Sequence, residues 1–426
     1  MNTNLFLVMT IISFILLIKN QKKEKRTIFD PGFLIISFFF LCYLAPAIAI
    51  IYGTSYSSPN IYNNIETISL YGLLFTFSFT FFYIISGNLV SKNKIIQNIK
   101  YYYWSQKSSF IVILFIFATI KLINLSFGIG TSDNYNEQYI IRMSMPVVAS
   151  QILNTLGGIQ FLLVCLLLCS TLAPSAKRRS LRYVGFVAFI FFADMLLTQS
   201  RGNFVTLCLL FAGTYTFYRP SIGLLKEISI SVAFILAMSV FAIIRAGGFG
   251  GGTIGLIGVL LPSEFIAVYA NALHLISILG TSHYIAPPGN SYLQSLIAFI
   301  PQQINPGKWD LSQWYVSTYF PAFKAAGGGL AFGVIPEAIV NFGLPSIVFQ
   351  AFVIATTLRI PYLFARKYQN SGINFWMLFY LYCFTNIYQM IRTQSFVVFQ
   401  GILVGFIIPY FIISTIGRRR AIRSGH

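Results

Sequence analysis

Long apolar stretches, most of them close to the length of a membrane span, recur along this chain and limit what it can fold into. About 20 apolar residues in helical conformation cross the hydrocarbon core of a bilayer. Only 9% of the residues are charged, too few for a water-exposed surface, which excludes soluble enzymes and disordered chains. The sequence therefore predicts an all-α polytopic membrane protein. Its eleven predicted spans are residues 4–18, 33–52, 67–90, 108–128, 148–173, 183–199, 203–218, 228–246, 334–357, 373–391 and 394–417.

Lysines and arginines are distributed unevenly between alternate segments, and this distribution predicts the orientation of the chain. With the N-terminus outside, 22 of the 29 cations fall on the cytoplasmic side, six fall outside and Lys121 lies within a span. Cytoplasmic segments of membrane proteins carry the excess of Lys and Arg. We therefore expect the N-terminus outside and the basic C-terminus in the cytoplasm. The net charge of +19 then reports topology, and no nucleic acid is expected as a partner.

One long segment interrupts the series of spans on the predicted outer side. Its apolar periodicity predicts a helix from Ser263 to Leu279 and a shorter one from Asn290 to Ile300. These pieces are too apolar for water and too interrupted to span, so we expect them to lie on the outer membrane face or dip into it, over a cavity. The chain is thus divided into residues 1–246 with eight spans, the outer loop 247–333, and residues 334–426 with three spans and a basic tail.

Three arginines lie at the predicted outer ends of spans, where the charge distribution disfavours them. Arg201 is in the turn between the sixth and seventh spans, Arg245 ends the eighth, and Arg392 precedes the last. A guanidinium presents a planar fork of N–H donors that matches the oxygens of a phosphate group. Together these arginines would make a pyrophosphate site. The alternative for each is a side chain that reaches the membrane interface or complements a helix C-terminus.

Few groups on the outer side are available as a base. Glu337 begins the ninth span, where it either faces the cavity or satisfies a helix N-terminus, and Asn341 follows one turn later on the same side. Glu264 has the same ambiguity, whereas Asp310 is expected to be solvated. His283 is either a base near neutral pH or simply exposed.

Asp194 is an ionisable residue inside the sixth predicted span. It would either form a buried ion pair, with an arginine or Lys121, or take part in a proton relay. The sequence shows neither clustered Cys and His residues nor a group of carboxylates, so we expect no metal site and no cofactor.

Four short motifs stand out against this background. They are Thr198-Gln199-Ser200-Arg201-Gly202, Gly327-Gly328-Gly329, Pro336-Glu337 and Asn341-Phe342-Gly343. Together with about eleven spans and a large outer loop late in the chain, they resemble the Wzy family of oligosaccharide repeat-unit polymerases, which build bacterial O-antigens and capsules.

This resemblance implies a GT-C-like glycosyltransferase of the bacterial inner membrane with its active site facing the periplasm. Such an enzyme transfers a glycan from one undecaprenyl pyrophosphate carrier to the sugar end of another carrier-linked repeat unit, without metal or nucleotide sugar. A chain-length regulator and a flippase of the same pathway would be its partners. The pyrophosphate-binding candidates are Arg201, Arg245 and Arg392, the catalytic candidates are Glu337 and Glu264, and the other substrate-binding candidates are Asn341 and His283.

Two other functions stay open. An O-antigen ligase uses the same carrier and a similar late loop but transfers the glycan to lipid A core; since ligases are expected to use a loop histidine, His274 or His283 would serve. A flippase for lipid-linked oligosaccharides would show repeated halves with broken helices at matching positions. The sequence shows no such duplication, and its polar residues lie towards the outer face.

Overall fold

The computed structural model is helical in all of the regular secondary structure that it describes. The described residues are 1–23, 30–52, 59–92, 105–129, 140–141, 144–172, 181–198, 202–218, 223, 226–230, 266–297, 300, 305–325, 329–367 and 373–423.

The described residues of the N-terminal part, before the loop, include eight α-helices. They are α1 (Asn2–Lys23), α2 (Pro31–Phe39), α3 (Ala45–Tyr52), α4 (Pro59–Lys92), α5 (Gln106–Ser126), α6 (Val147–Leu172), α7 (Leu181–Thr198) and α8 (Gly202–Tyr218). A π-helical segment, Phe40–Leu44, joins α2 to α3 without a break.

The loop and the C-terminal part contribute ten further described α-helices. In the loop these are α9 (Ile266–Ile278), α10 (Ser291–Leu296), α11 (Leu311–Tyr319) and α12 (Pro321–Ala325). After it come α13 (Val334–Val340), α14 (Leu344–Lys367), α15 (Phe375–Thr385), α16 (Ile387–Arg392), α17 (Ser395–Gln400) and α18 (Ile408–Arg423). A second π-helical segment, Gly401–Ile407, connects α17 to α18.

Seven helical runs in the described residues are long and apolar enough to cross a bilayer. They are Asn2–Asn20, Pro31–Ile51, Ile61–Gly87, Gln106–Ser126, Val148–Leu172, Leu344–Lys367 and Ser395–Thr415. Each corresponds to a predicted span, which confirms a polytopic helical membrane protein. Helices α7 and α8 occupy the sixth and seventh predicted positions without belonging to the seven. The eighth predicted span, 228–246, lies almost wholly outside the described residues.

The ninth and tenth predicted spans differ from the structure. The predicted span 334–357 is two helices, because α13 ends in a turn at residues 341–343 and α14 then continues to Lys367. Gly343 in this turn has φ of 66°, a backbone conformation that glycine adopts without steric cost. The predicted span 373–391 is divided at Asn386 into α15 and α16. Apolar residues flank both breaks, so average hydropathy stays high across them, although Gly343 followed by Pro345 is a helix-ending signal that the predicted span 334–357 did not take into account.

Helix α4 forms the centre of the described bundle and packs along α14, α1 and α9. A column of stacked rings runs down its buried side: Phe39 and Phe75 have ring centroids 4.1 Å apart, Phe75 and Phe79 5.9 Å, and Phe79 and Tyr83 5.5 Å. The Tyr83 hydroxyl donates to Asp30 Oδ1 at 2.8 Å, while the Arg359 guanidinium lies 4.9 Å from the Tyr83 ring. This polar contact ties α2, α4 and α14 together at the end opposite the loop helices.

The ion pair that was one alternative for Asp194 is present. Lys121 Nζ contacts the Asp194 carboxylate and joins α5 to α7. The Asp194 side chain is buried and that of Lys121 is about 29% exposed. A charge inside a predicted span therefore has its opposite charge on a neighbouring helix, as a membrane-embedded charge requires.

Helix α6 approaches the second π-helical segment so closely that a side chain would not fit at one glycine. A Cβ atom on Gly158 would lie 2.3 Å from the Gly405 carbonyl oxygen and 2.6 Å from Pro409. A Cβ atom on the neighbouring Gly157 would have nothing within 4 Å. Small residues allow helix backbones in membranes to pack closely, and Gly158 fulfils that role here.

We expect Gly158→Ala to destabilise the protein and Gly157→Ala to leave it unchanged or slightly stabilised. Overpacking at a tight contact costs about 1–3 kcal/mol, whereas alanine at an open helical position improves helix propensity. Thermal unfolding of the two purified variants in detergent measures this difference. Equal unfolding temperatures would contradict the close approach of α6 to the π-helical segment.

Candidate functional site

Glu337 lies in a buried polar cluster at the end of the bundle where the loop helices pack, which we call the loop end. Glu337 is only 1% exposed to solvent. Ser291 Oγ donates to Glu337 Oε1 at 2.9 Å. Gln350 Nε2 donates to Oε2 at 3.1 Å, and the backbone N–H and hydroxyl of Ser395 donate to the same oxygen at 2.9 and 2.8 Å. Four donors from α10, α14 and α17 therefore meet one carboxyl group from α13.

The Glu337 carboxyl group also caps a helix to which it does not belong. Gln394 occupies the N-cap position of α17 but makes no side-chain capping bond, and Ser395, the first residue of the helix, donates its N–H to Glu337. The first N–H groups of a helix lack intrahelical partners, and negative charge is favourable there. The sequence allowed Glu337 a role at a helix N-terminus, and the helix it caps is α17.

Asn341 joins the same cluster, one turn beyond Glu337. Its Oδ1 accepts from Ser291 N at 3.0 Å, and its Nδ2 donates to Ser291 Oγ at 2.8 Å and to the Glu337 carbonyl at 2.7 Å. Glu337 and Asn341 therefore act on the same residue of the loop. Ser291, Gln350 and Ser395 were not among the site residues predicted from the sequence. The two serines each begin an apolar segment, a position typical of helix starts, but nothing in the sequence links them to Glu337.

Asp310, expected to be solvated, is instead half-buried and bound to the C-terminal part. It accepts from Gln313 N at 2.8 Å as the N-cap of α11, and its second oxygen accepts from Gln394 Nε2. Gln394 Oε1 in turn accepts from Ser312 N at 2.7 Å. The expectation of an exposed Asp310 was therefore wrong, because this carboxylate connects a loop helix to the turn before α17.

Arg392 ends α16, three residues before Ser395. Its Cζ lies 5.5 Å from the Tyr388 ring centroid, and its Nε–H is shielded from solvent without an acceptor among the residues that the structure describes. Lys308 is close to the same turn, with its ammonium 5.1 Å from the Phe396 ring and donating to the Ile300 carbonyl at 2.9 Å. The turn that carries Ser395 thus has positively charged groups beside it.

Burial raises the pKa of Glu337 to about 7. Hydrogen bonds from Ser395 and Ser291 oppose this rise, and the negative charge of Asp310 adds to it. Desolvation of the charged form outweighs the donors, which is the expected order for a carboxyl group removed from water. Burial also lowers the pKa of Lys308, against the attraction of Asp310. Near neutral pH, both the neutral and the ionised form of Glu337 are therefore populated.

The remaining candidates are not joined to this cluster by any described contact. Arg201, Arg245 and Glu264 lie outside the described residues. His283 is exposed, and its backbone N–H donates to Thr281 Oγ1 at 3.2 Å. His274 has its Nδ1 2.8 Å from the Tyr315 hydroxyl and is surrounded by aromatic rings, and burial lowers its pKa.

No protein-family model matches the chain, and neither a characterised protein nor a solved structure is significantly similar to it. Within the described part of the chain, no three His, Cys, Asp or Glu side chains are grouped as a metal site would require. The chemistry of the loop end is therefore argued from the hydrogen bonds and charges of Glu337, Arg392 and their neighbours.

We expect the stability of the protein to fall as pH rises from about 4.5 to about 7 through the ionisation of Glu337. Its carboxyl group ionises near the ordinary pKa of 4.5 in the unfolded chain but only near 7 in the folded protein. Between these values the folded state binds the extra proton, so raising the pH favours unfolding, by roughly 3 kcal/mol over the whole window.

The difference in unfolding temperature between the wild type and Glu337→Gln, measured in detergent at a series of pH values, isolates this contribution. The variant lacks the ionisable group, so its curve should be flatter through this window. Parallel curves for the two proteins would show that Glu337 does not titrate there.

Proposed function

We propose that this chain is a polysaccharide polymerase of the Wzy type, with a GT-C-like fold, in the bacterial inner membrane. On this proposal it transfers a glycan from undecaprenyl pyrophosphate to the sugar end of a second carrier-linked repeat unit at the periplasmic face. The observation that carries the proposal is the loop end itself. There, the Arg392 guanidinium at the end of α16 has an N–H without an acceptor among the described residues. Glu337, whose pKa burial raises to about 7, binds Ser395 three residues further along the chain.

Arg392 has a buried N–H that a phosphate oxygen could satisfy. A guanidinium N–H shielded from water without an acceptor is costly, and a phosphate oxygen would remove that cost. Arg392 offers such a donor at the loop end. Arg201 and Arg245, predicted on the same side of the membrane, would supply further donors to a pyrophosphate group. We therefore assign these three arginines to the leaving group.

Glu337 is the candidate for the general base. The two oxygens of Glu337 are unequal, because Oε2 accepts three hydrogen bonds and Oε1 accepts one, from Ser291. Oε1 is thus the atom that can change partner, with the acceptor sugar hydroxyl taking the place of the Ser291 hydroxyl. A pKa near the working pH is what a general base requires. Glu264 stays a second candidate from the sequence.

The proposed step balances without metal or cofactor. The acceptor hydroxyl gives its proton to Glu337 while its oxygen bonds to the anomeric carbon of the donor glycan. The bond from that carbon to the pyrophosphate oxygen breaks, and its electron pair stays on the pyrophosphate. Guanidinium groups stabilise this developing charge. The products are the lengthened carrier-linked glycan and undecaprenyl pyrophosphate.

We expect Arg392→Ala to abolish long chains, and Lys324→Ala, at an exposed cation of the same loop region, to leave them unchanged. Loss of a charge-stabilising donor typically costs about 10²–10³ in rate. Arg392→Lys should have intermediate activity, because lysine keeps the positive charge but lacks the planar set of N–H donors of the guanidinium. The measurement is a product ladder from purified protein and a lipid-linked repeat unit.

In cells, Arg201→Ala and Arg245→Ala should also lack long glycan chains while the protein accumulates normally. Full-length polymer from all three arginine variants would overturn the pyrophosphate assignment. Glycan attached to lipid A core in place of a ladder would indicate a ligase. Repeat units retained on the cytoplasmic side of the knockout strain would indicate a flippase.

Glu337→Gln should cost far more activity than Asp310→Asn. The glutamine accepts no proton at neutral pH, and general-base catalysis contributes about 10²–10⁴ in rate. Asparagine at position 310 still caps α11. Initial rates across pH 5.5–8.5 test the assignment, because Asp310→Asn should keep a Glu337-dependent pH profile displaced to lower pH, whereas Glu337→Gln should lose that profile. Equal losses in the two variants would remove Glu337 as the base.

A further inference from the structure

Helix α10 buries its polar residues and exposes its apolar ones. Ser291 and Ser295, one turn apart, are each 1% exposed, whereas Leu293 is 65% exposed and Leu296 60%. A surface helix in water buries its apolar face and exposes its polar one. The opposite arrangement is that of an element whose outer surface meets hydrocarbon.

Hydrogen bonds fix this orientation of α10. The Ser291 hydroxyl donates to Glu337 Oε1, and Asn341 holds both the N–H and the hydroxyl of Ser291. Ser295 Oγ donates to the Ser291 carbonyl at 2.8 Å. Turning the helix to hide its leucines would break these bonds and leave Glu337 short of a donor. The outward direction of Leu293 and Leu296 therefore follows from the buried cluster.

Helix α10 packs through Tyr292 against the outer surface of a membrane span. The Tyr292 ring lies 6.3 Å from that of Phe342 and 5.9 Å from that of Phe349, and its hydroxyl donates to Ser346 Oγ at 2.9 Å. Phe349 is 54% exposed and belongs to α14, which is long and apolar enough to cross the bilayer. An exposed phenylalanine on a membrane span faces lipid, so α10 lies beside a lipid-facing surface.

We propose that α10 is embedded in the hydrocarbon region of the membrane, with Leu293 and Leu296 in contact with lipid acyl chains. Helix α10 then separates the Glu337 cluster from the bilayer rather than from water. The inference depends on the membrane character of the chain and not on the polymerase proposal, so either can fail alone.

Spin labels attached to single introduced cysteines test this placement in liposomes. Leu293→Cys and Leu296→Cys are the test positions, Phe349→Cys on α14 is the lipid control, and Ser282→Cys, an exposed residue of the loop, is the water control. Wild-type protein with its five native cysteines sets the background of labelling. Power saturation then measures collisions of each label with oxygen, which concentrates in hydrocarbon, and with a polar nickel chelate, which is excluded from it.

We expect the ratio of oxygen to nickel accessibility at positions 293 and 296 to match that at 349. It should clearly exceed the ratio at 282, because water and polar solutes are excluded from the bilayer core. High nickel accessibility at both positions would place α10 in water and overturn the proposal. Low accessibility to both reagents would show a protein surface covering α10, and would overturn it equally.

Discussion

One buried carboxyl group, that of Glu337, holds together the parts of the chain that meet at the loop end. Removing a carboxylate from water is costly, and the cost is tolerable only when donors replace the lost water. Here, the donors come from three different helices, so each of them is fixed relative to the others by the same group. Glu66 makes a similar contact elsewhere, accepting from the first residues of α1. At the start of both α1 and α17, the first N–H group thus donates to a carboxyl group from another helix.

The position of Arg392 depends on that same contact. Helix α17 starts at Ser395 with its first N–H bound to Glu337, and only the two residues of the intervening turn separate it from the end of α16. Gln394 within this turn is bound to α11 through Asp310 and Ser312. The turn that follows Arg392 is therefore anchored on both sides. The hydrogen bonds of the proposed base thus fix the start of the helix that comes directly after the proposed anion site.

Much of this architecture was predictable from the sequence, because burial in lipid leaves a strong compositional signal. Seven of the eleven predicted spans correspond to membrane-length helical runs in the described residues, and helical periodicity predicted α9 and α10 to within a few residues at most ends. The same periodicity predicted that Glu337 and Asn341 share one side. The turn at 341–343 was missed although Gly343 and Pro345 form a helix-ending signal, because average hydropathy stays high across it. The break at Asn386 has no such signal. The partners of Glu337 were missed because serine and glutamine gain their significance only from tertiary contacts.

The cap on α17 also has a consequence for how the protein is made. Glu337 leaves the ribosome well before Ser395, so during membrane insertion its carboxyl group lacks the two donors that Ser395 later provides. Arrival of the final span then completes the hydrogen bonds of the cluster, and a chain truncated before Ser395 lacks two of its four donors.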